Sequence, residues 1–193
     1  MRKPSHVFAQ IVFAFLLCLD AAPMVLGCAF HAPLEVALDS MYPGSFTVAV
    51  ALRAAADSGV IDAAALEAPG TGTGTYSDSV HRLQEFRNAL AVSPAAAQLP
   101  SRFSLGFVES RLWSRYLQSG SEIRVDIHTD GPATGEAVVL TGEPVMTELL
   151  AGRLSVETAL TQGMILIDGN ESEKKAIRHA LKATSMASRI SRR

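Results

Sequence analysis

The sequence predicts an α+β fold: a mainly antiparallel sheet of about four to five strands covered by helices, with an N-terminal helical extension. Three observations predict it. Apolar residues recur at helical spacing in the first half of the chain and switch to a period of two after residue 100. Two short amphipathic stretches, each closed by glycine, then precede an apolar strand in "TGEPVMTELLAGRLSVETALTQGMILIDGNES", residues 141–172. Finally, 193 residues with 48% hydrophobic content are enough for one continuous core without staples.

The N-terminus reads as an export signal over residues 1–27. "MRKPSH" is a short basic segment, and "VFAQIVFAFLLCL", residues 7–19, is apolar but too short to span a bilayer comfortably. Asp20 ends it, and small residues follow. Cys18 falls inside this segment, which leaves Cys28 alone in a mature chain and excludes an internal disulfide. "VLGC", residues 25–28, resembles the box of bacterial lipoproteins, in which the cysteine is acylated. Leu26 is larger than is usual there, and the alternative is ordinary cleavage leaving a free thiol. The resulting expectation is export to a bacterial periplasm, with Cys28 as the candidate lipidation site and membrane anchor.

Residues 28–100 form the expected N-terminal helical region. In "SFTVAVALRAAADSG" Val48, Ala51, Leu52 and Ala55 recur at helical spacing, Ser45 is placed to cap the start and Gly59 to end it, and Arg53 and Asp57 stand four apart outside. "VIDAAALEA" predicts a further short helix. "PGTGTGTYSDS", residues 69–79, reads as a loop. Its Gly-Thr alternation is not a phosphate loop, because no strand precedes it and no Lys-Ser or Lys-Thr follows. "SVHRLQEFRNALA" is the next helix, with Val80, Leu83, Phe86 and Leu90 on one face and Ser77, Asp78 or Ser79 as its cap.

Strands follow over the expected α+β region, residues 101–185. "FSLGF" puts Phe103, Leu105 and Phe107 on one side. "RLWSRYLQSG", with the single Trp113, fits strand or helical turn. "EIRVDIHTD" alternates Ile123, Val125 and Ile127 with charged neighbours, "DGPATG" is a turn, and "EAVVLT" and "MILID" are further strands. Between these last two, Pro144 suits a first helical turn, Gly152 and Gly163 end two helices, and Ser155 caps the second. Asn170 and Glu173 form a capping box for the final helix, which runs into a basic tail, residues 186–193. That tail suits either an anionic membrane surface or a frayed, solvated end.

The stretch "AVVLTGEPVMTELLAGRLSVETALTQGMILIDGN" resembles the C-terminal half of the sterol carrier protein fold, of the type-two, non-specific lipid-transfer kind. The matching features are the strand at Val138–Leu140, Glu143 at a helix start, Gly152-Arg153-Leu154, Ala159, Gly163 and the strand before Gly169. The resemblance covers about a quarter of the chain. It implies an apolar tunnel between sheet and helices, lined by Phe107, Trp113, Met146, Leu149, Leu150, Leu160 and Met164, holding a lipid or quinone-like molecule without chemistry. Methionine suits such a surface because it adapts its shape. The bland reading is that these side chains only fill a core.

Other chemistry is poorly supported. Cys28 and His31 are too few for a zinc site. His128, between Asp126 and Asp130, has no nucleophile motif beside it. Glu109, Arg111, Arg115 and Asp126 suggest a polar cluster near Trp113 or simply a charged sheet face. A net charge of −2 argues against nucleic acid. The expected function is an exported, non-enzymatic binder or carrier of an apolar ligand, with no cofactor and no metal. The alternative is an accessory protein with a filled core.

Overall fold

The computed structural model describes residues 41–66, 73–120 and 122–190. The expected export segment, Cys28 and residues 191–193 lie outside them.

Helix α1, Ser45–Asp57, buries Val48, Leu52, Ala55 and Ala56. It starts from Gly44, not from a Ser45 cap. Gly44 is left-handed (φ 89°) and presses on Leu166, where an added Cβ would come within 2.7 Å of Cδ1. Only glycine meets both demands, so Ser45 is drawn into the helix and buried. Gly59 (φ 73°) ends α1, with Val60 N–H reaching back to Ala55 O at 2.8 Å. The next expected helix is only a 3-10 turn, Ala63–Ala65, capped by Asp62.

Helix α2, Thr73–Ala91, begins earlier than expected and absorbs most of the supposed loop 69–79. No proline after Pro69 stops it, and Ser79 has been recruited elsewhere: its hydroxyl donates to Glu143 rather than capping α2. Leu83, Phe86 and Leu90 are buried as their spacing requires.

Strands β1 (Arg102–Phe107), β2 (Leu112–Ser119), β3 (Glu122–Thr129), β4 (Ala137–Thr141) and β5 (Leu166–Asp168) form one sheet in the order β3-β2-β1-β4-β5. The β1–β4 pair is parallel and the other three pairs are antiparallel. The ambiguous segment around Trp113 is therefore β2. It lacks alternation because both of its faces are covered.

Register assigns the faces. Phe103, Leu105 and Phe107 lie opposite Tyr116, Ser114 and Leu112 on β2, and Ala137, Val139 and Thr141 on β4. This first face carries the stacked Phe103 and Tyr116 rings, 4.9 Å apart, with Phe86 of α2 edge-on to Tyr116 at 5.4 Å. The second face carries Ser104 and Gly106 with Arg115, Trp113, Val138 and Leu140. Here the Trp113 ring lies over Gly106, and Tyr42 packs edge-on to the ring at 6.1 Å. A Cβ at Gly106 would meet Trp113 Cζ3 and Met41 Cε, each at 2.9 Å. Gly106→Ala is therefore expected to cost about 1–3 kcal/mol through overpacking, measured as a lowered Tm with unchanged circular dichroism at 20 °C.

Because β4 runs parallel to β1 and β3, the link 130–136 must return the length of the sheet. It does so as a strap across the second face. Arg115 Nη2 donates to Gly131 O at 2.9 Å, and the Arg115 guanidinium pairs with Glu136 at 3.0 Å. "DGPATG", expected as a turn, is this strap.

Helix α3, Glu143–Leu150, follows β4; α4, Val156–Thr161, follows a turn at Gly152 (φ 66°) and is capped by Ser155. Helix α5, Glu171–Ile190, starts on the expected box: Glu173 N–H donates to Asn170 Oδ1 and Asn170 N–H to Glu173 Oε2. Helices α2, α3 and α5 pack on one another, and Ile177, Ala180 and Leu181 of α5 point inwards.

Candidate functional site: an apolar layer beneath α3 and α4

Five of the expected lining residues, Trp113 among them, are buried in one continuous apolar cluster. Phe107 from the end of β1, Met146 and Leu149 from α3, and Met164 before β5 are all less than 5% exposed. Leu150 and Leu160 are half-buried and pack against this cluster from outside. Trp113 does not join them by face: it projects from the second face of the sheet, while Phe107 projects from the first. Alternation within β1 and β2 separates the two aromatics, and only the pairing register reveals it.

The layer is anchored at its polar margin. Thr141 Oγ1 donates to Met164 O at 3.0 Å, which ties β4 to the α4–β5 link. Gly142 permits close approach of α1, since a Cβ there would lie 2.8 Å from Leu52 Cδ1, whereas one at Gly163 would make an ordinary contact, 3.6 Å from Ala51 Cβ. Helix α3 thus starts against α1 and ends at a left-handed glycine, a short element bounded by two flexible points.

At the N-terminus of α3 lies a pair of carboxylates. Glu109, in the turn between β1 and β2, accepts the backbone N–H of Glu143, while Glu143 accepts the Ser79 hydroxyl. Glu109 acts as a cap supplied from another element. The residue is half-buried as a whole, but its Oε2 is inside and has no partner among the described residues. Burial pushes its pKa from 4.5 up to about 7, helped by the nearby Glu143 charge and opposed by backbone hydrogen bonds. Sequence reading named Glu109 only as one of a charged group. Arg115 and Asp126 of that group lie opposite each other in the β2–β3 register but pair elsewhere, Arg115 with Glu136 and Asp126 with Arg124.

A concavity of about 440 Å³ lies elsewhere, where β1, β4 and α5 begin. Gln98, Ser101, Arg102, Glu136, Asn170 and Glu173 line it, and it is polar. Near the β5 edge, Tyr42 donates to Asp168 Oδ2 at 2.7 Å. Burial and that carboxylate push the tyrosine up to about 12, and the same bond holds Asp168 below its usual range. Among the described residues no group of three or more His, Cys, Asp or Glu side chains converges as metal ligands would. No helix among them is long and apolar enough to cross a membrane.

No protein-family model matches the chain, and no curated protein matches it in sequence. Solved structures do match. The chain is similar to Sterol Carrier Protein 2 Like 2 from Aedes aegypti, at 16% identity and a TM-score of 0.43, over 53% of this chain and 95% of that one. It is likewise similar to a structure of sterol carrier protein 2, at 16% identity and a TM-score of 0.40, over 54% of this chain and 94% of that one. A ubiquinone synthesis protein described as UbiJ-SCP2 matches at 12% identity and a TM-score of 0.41, over 58% of this chain and 99% of that one. The sec-alkylsulfatase Pisa1 from Pseudomonas sp. matches at 17% identity and a TM-score of 0.38, over 50% of this chain. The chain spans only 16% of that sulfatase. These matches concern the α+β fold, the architecture already traced in the strands and helices above.

Proposed function

We propose that the protein binds an apolar ligand, a lipid or quinone-like molecule, between the first sheet face and the α3–α4 pair, and carries it without chemical change. One observation supports this most directly. Half-buried Leu150 and Leu160 lead from the surface to buried Met146, Met164 and Phe107, and α3 and α4 are bounded by glycines. A ligand would enter by parting two short helices and displacing adaptable methionines, with no charged side chain among these five residues to desolvate. The reading includes residues 1–27 as an export signal to the periplasm, and Cys28 as a site of acylation and tethering.

The test is denaturing extraction of the purified protein, with mass spectrometry of both the extract and the polypeptide. The expected result is a stoichiometric apolar molecule in the extract, and a polypeptide mass that reports cleavage and any acyl chains at Cys28. A clean extract, repeated after incubation with membrane lipids, overturns the carrier reading. The second reading is then favoured: an accessory protein with a filled core. One observation already favours it, since the lining side chains pack together in this structure and the 440 Å³ concavity is polar.

A further inference from the structure

The sheet has one long edge. Among the described residues β3 pairs only with β2, so its outer backbone groups from Ile123 to Ile127 have no ladder partner. The opposite edge, β5, is only three residues long. Edge strands are ordinarily blunted by shortness, by a bulge or by a cover, because an open row of N–H and C=O groups templates pairing. β3 is eight residues long. Its one irregularity lies at its far end, where His128 (φ 66°) is the extra residue between the pairs Ile127–Ser114 and Thr129–Trp113. Six regular residues precede it, the last five of them Ile123 to Ile127.

Their order is Ile123, Arg124, Val125, Asp126, Ile127, and it is self-complementary about Val125. If two copies pair antiparallel at this edge, Val125 faces Val125 of the second copy, Ile123 faces Ile127, and Arg124 faces Asp126. Two-fold symmetry makes each of the last two contacts twice. Directly opposed β-branched residues and opposite charges are the favourable cross-strand pairs. The two faces agree with this. On the first face Val125 and Ile127 are only half-buried beside α2, so a second copy would complete their cover. On the second face Arg124 and Asp126 are 67% and 43% exposed and pair with each other along the strand, at 3.2 Å. An exposed pair of that kind is weak and exchanges readily for a cross-strand one.

We propose that the protein forms a two-fold homodimer in which the β3 edges of two copies pair antiparallel about Val125, joining two five-stranded sheets into one. This inference does not depend on the ligand reading. Sedimentation equilibrium of the purified chain is expected to give twice the monomer mass. Arg124→Asp sets like charges opposite each other at two places and is expected to weaken the dimer roughly tenfold or more. The charge swap, Arg124→Asp with Asp126→Arg, is expected to restore it. Circular dichroism checks that each variant is folded, and both positions are exposed enough to tolerate the change. A wild-type monomer at about 100 μM, a concentration that would reveal even a weak dimer, overturns the proposal. So does a dimer unaffected by Arg124→Asp, or a folded charge-swap variant that stays monomeric.

Discussion

Replacing Glu109 by glutamine is expected to stabilise the protein at pH 8 and to flatten its stability between pH 5 and 7. The sign follows from linkage. The folded state holds the Glu109 proton to about pH 7, whereas an unfolded chain releases it near pH 4.5. Between those values the folded form binds more protons, so stability falls as pH rises. The full difference is roughly 3 kcal/mol once pH exceeds 7. The carboxylates held low, Asp168, Glu148 and Glu171, act oppositely but in a separate window: their contribution is present above their ordinary values and lost on acidification below them. An amide keeps an acceptor for Glu143 N–H and carries no charge, so Glu109→Gln removes the slope. Urea denaturation at pH 5, 6, 7 and 8 measures it. A wild-type midpoint that does not fall across this range, or a variant with the same slope, refutes the assignment.

The second large effect is expected at Glu136. Its side chain is fully buried and accepts Arg115 Nε at 3.0 and 3.2 Å, Ser104 Oγ at 3.0 Å and Ala133 N–H at 2.7 Å. Removing it strands Arg115, whose side chain is 27% exposed, and frees the strap that crosses the second face. Glu136→Ala is expected to cost about 3 kcal/mol, since breaking a buried pair leaves an uncompensated charge. Glu136→Gln, which keeps acceptors for Ser104 and Ala133, is expected to cost about half as much. A double-mutant cycle with Arg115→Met separates the ion pair from the strap contacts. If the pair carries the effect, Glu136→Ala costs much less in the Arg115→Met background. If it costs the same there, the strap bonds carry it.

These two residues show where sequence reading stops. Glu136 looked like the first residue of a strand and Glu109 like a member of a charged sheet face. Neither has a local pattern that reports its partner, because Ser104 and Arg115 lie 32 and 21 positions from Glu136. Nor does Glu109 announce its contact with Glu143, 34 positions away. The candidate layer was legible in part. Helical spacing and the sterol carrier resemblance singled out Met146, Leu149 and Met164, which the structure buries in the same core as Phe107. Trp113 could not be assigned to a face without the register of β1 on β2.

By itself, then, the sequence determined what interactions within about four residues control. These are the helix periods, the Ser155 and Asn170 caps, the glycine stops at 59, 152 and 163, and the alternation of β3. Tertiary structure alone decided the rest. It chose glycine rather than Ser45 to start α1, drew α2 through a supposed loop, and set β4 parallel to β1 with a strap behind them. It also buried both faces of the sheet and raised Glu109 towards neutral pH. The physical reason is that pairing, close approach and desolvation depend on which distant segments share a surface. That choice is made by the free energy of the whole core, not by any one segment.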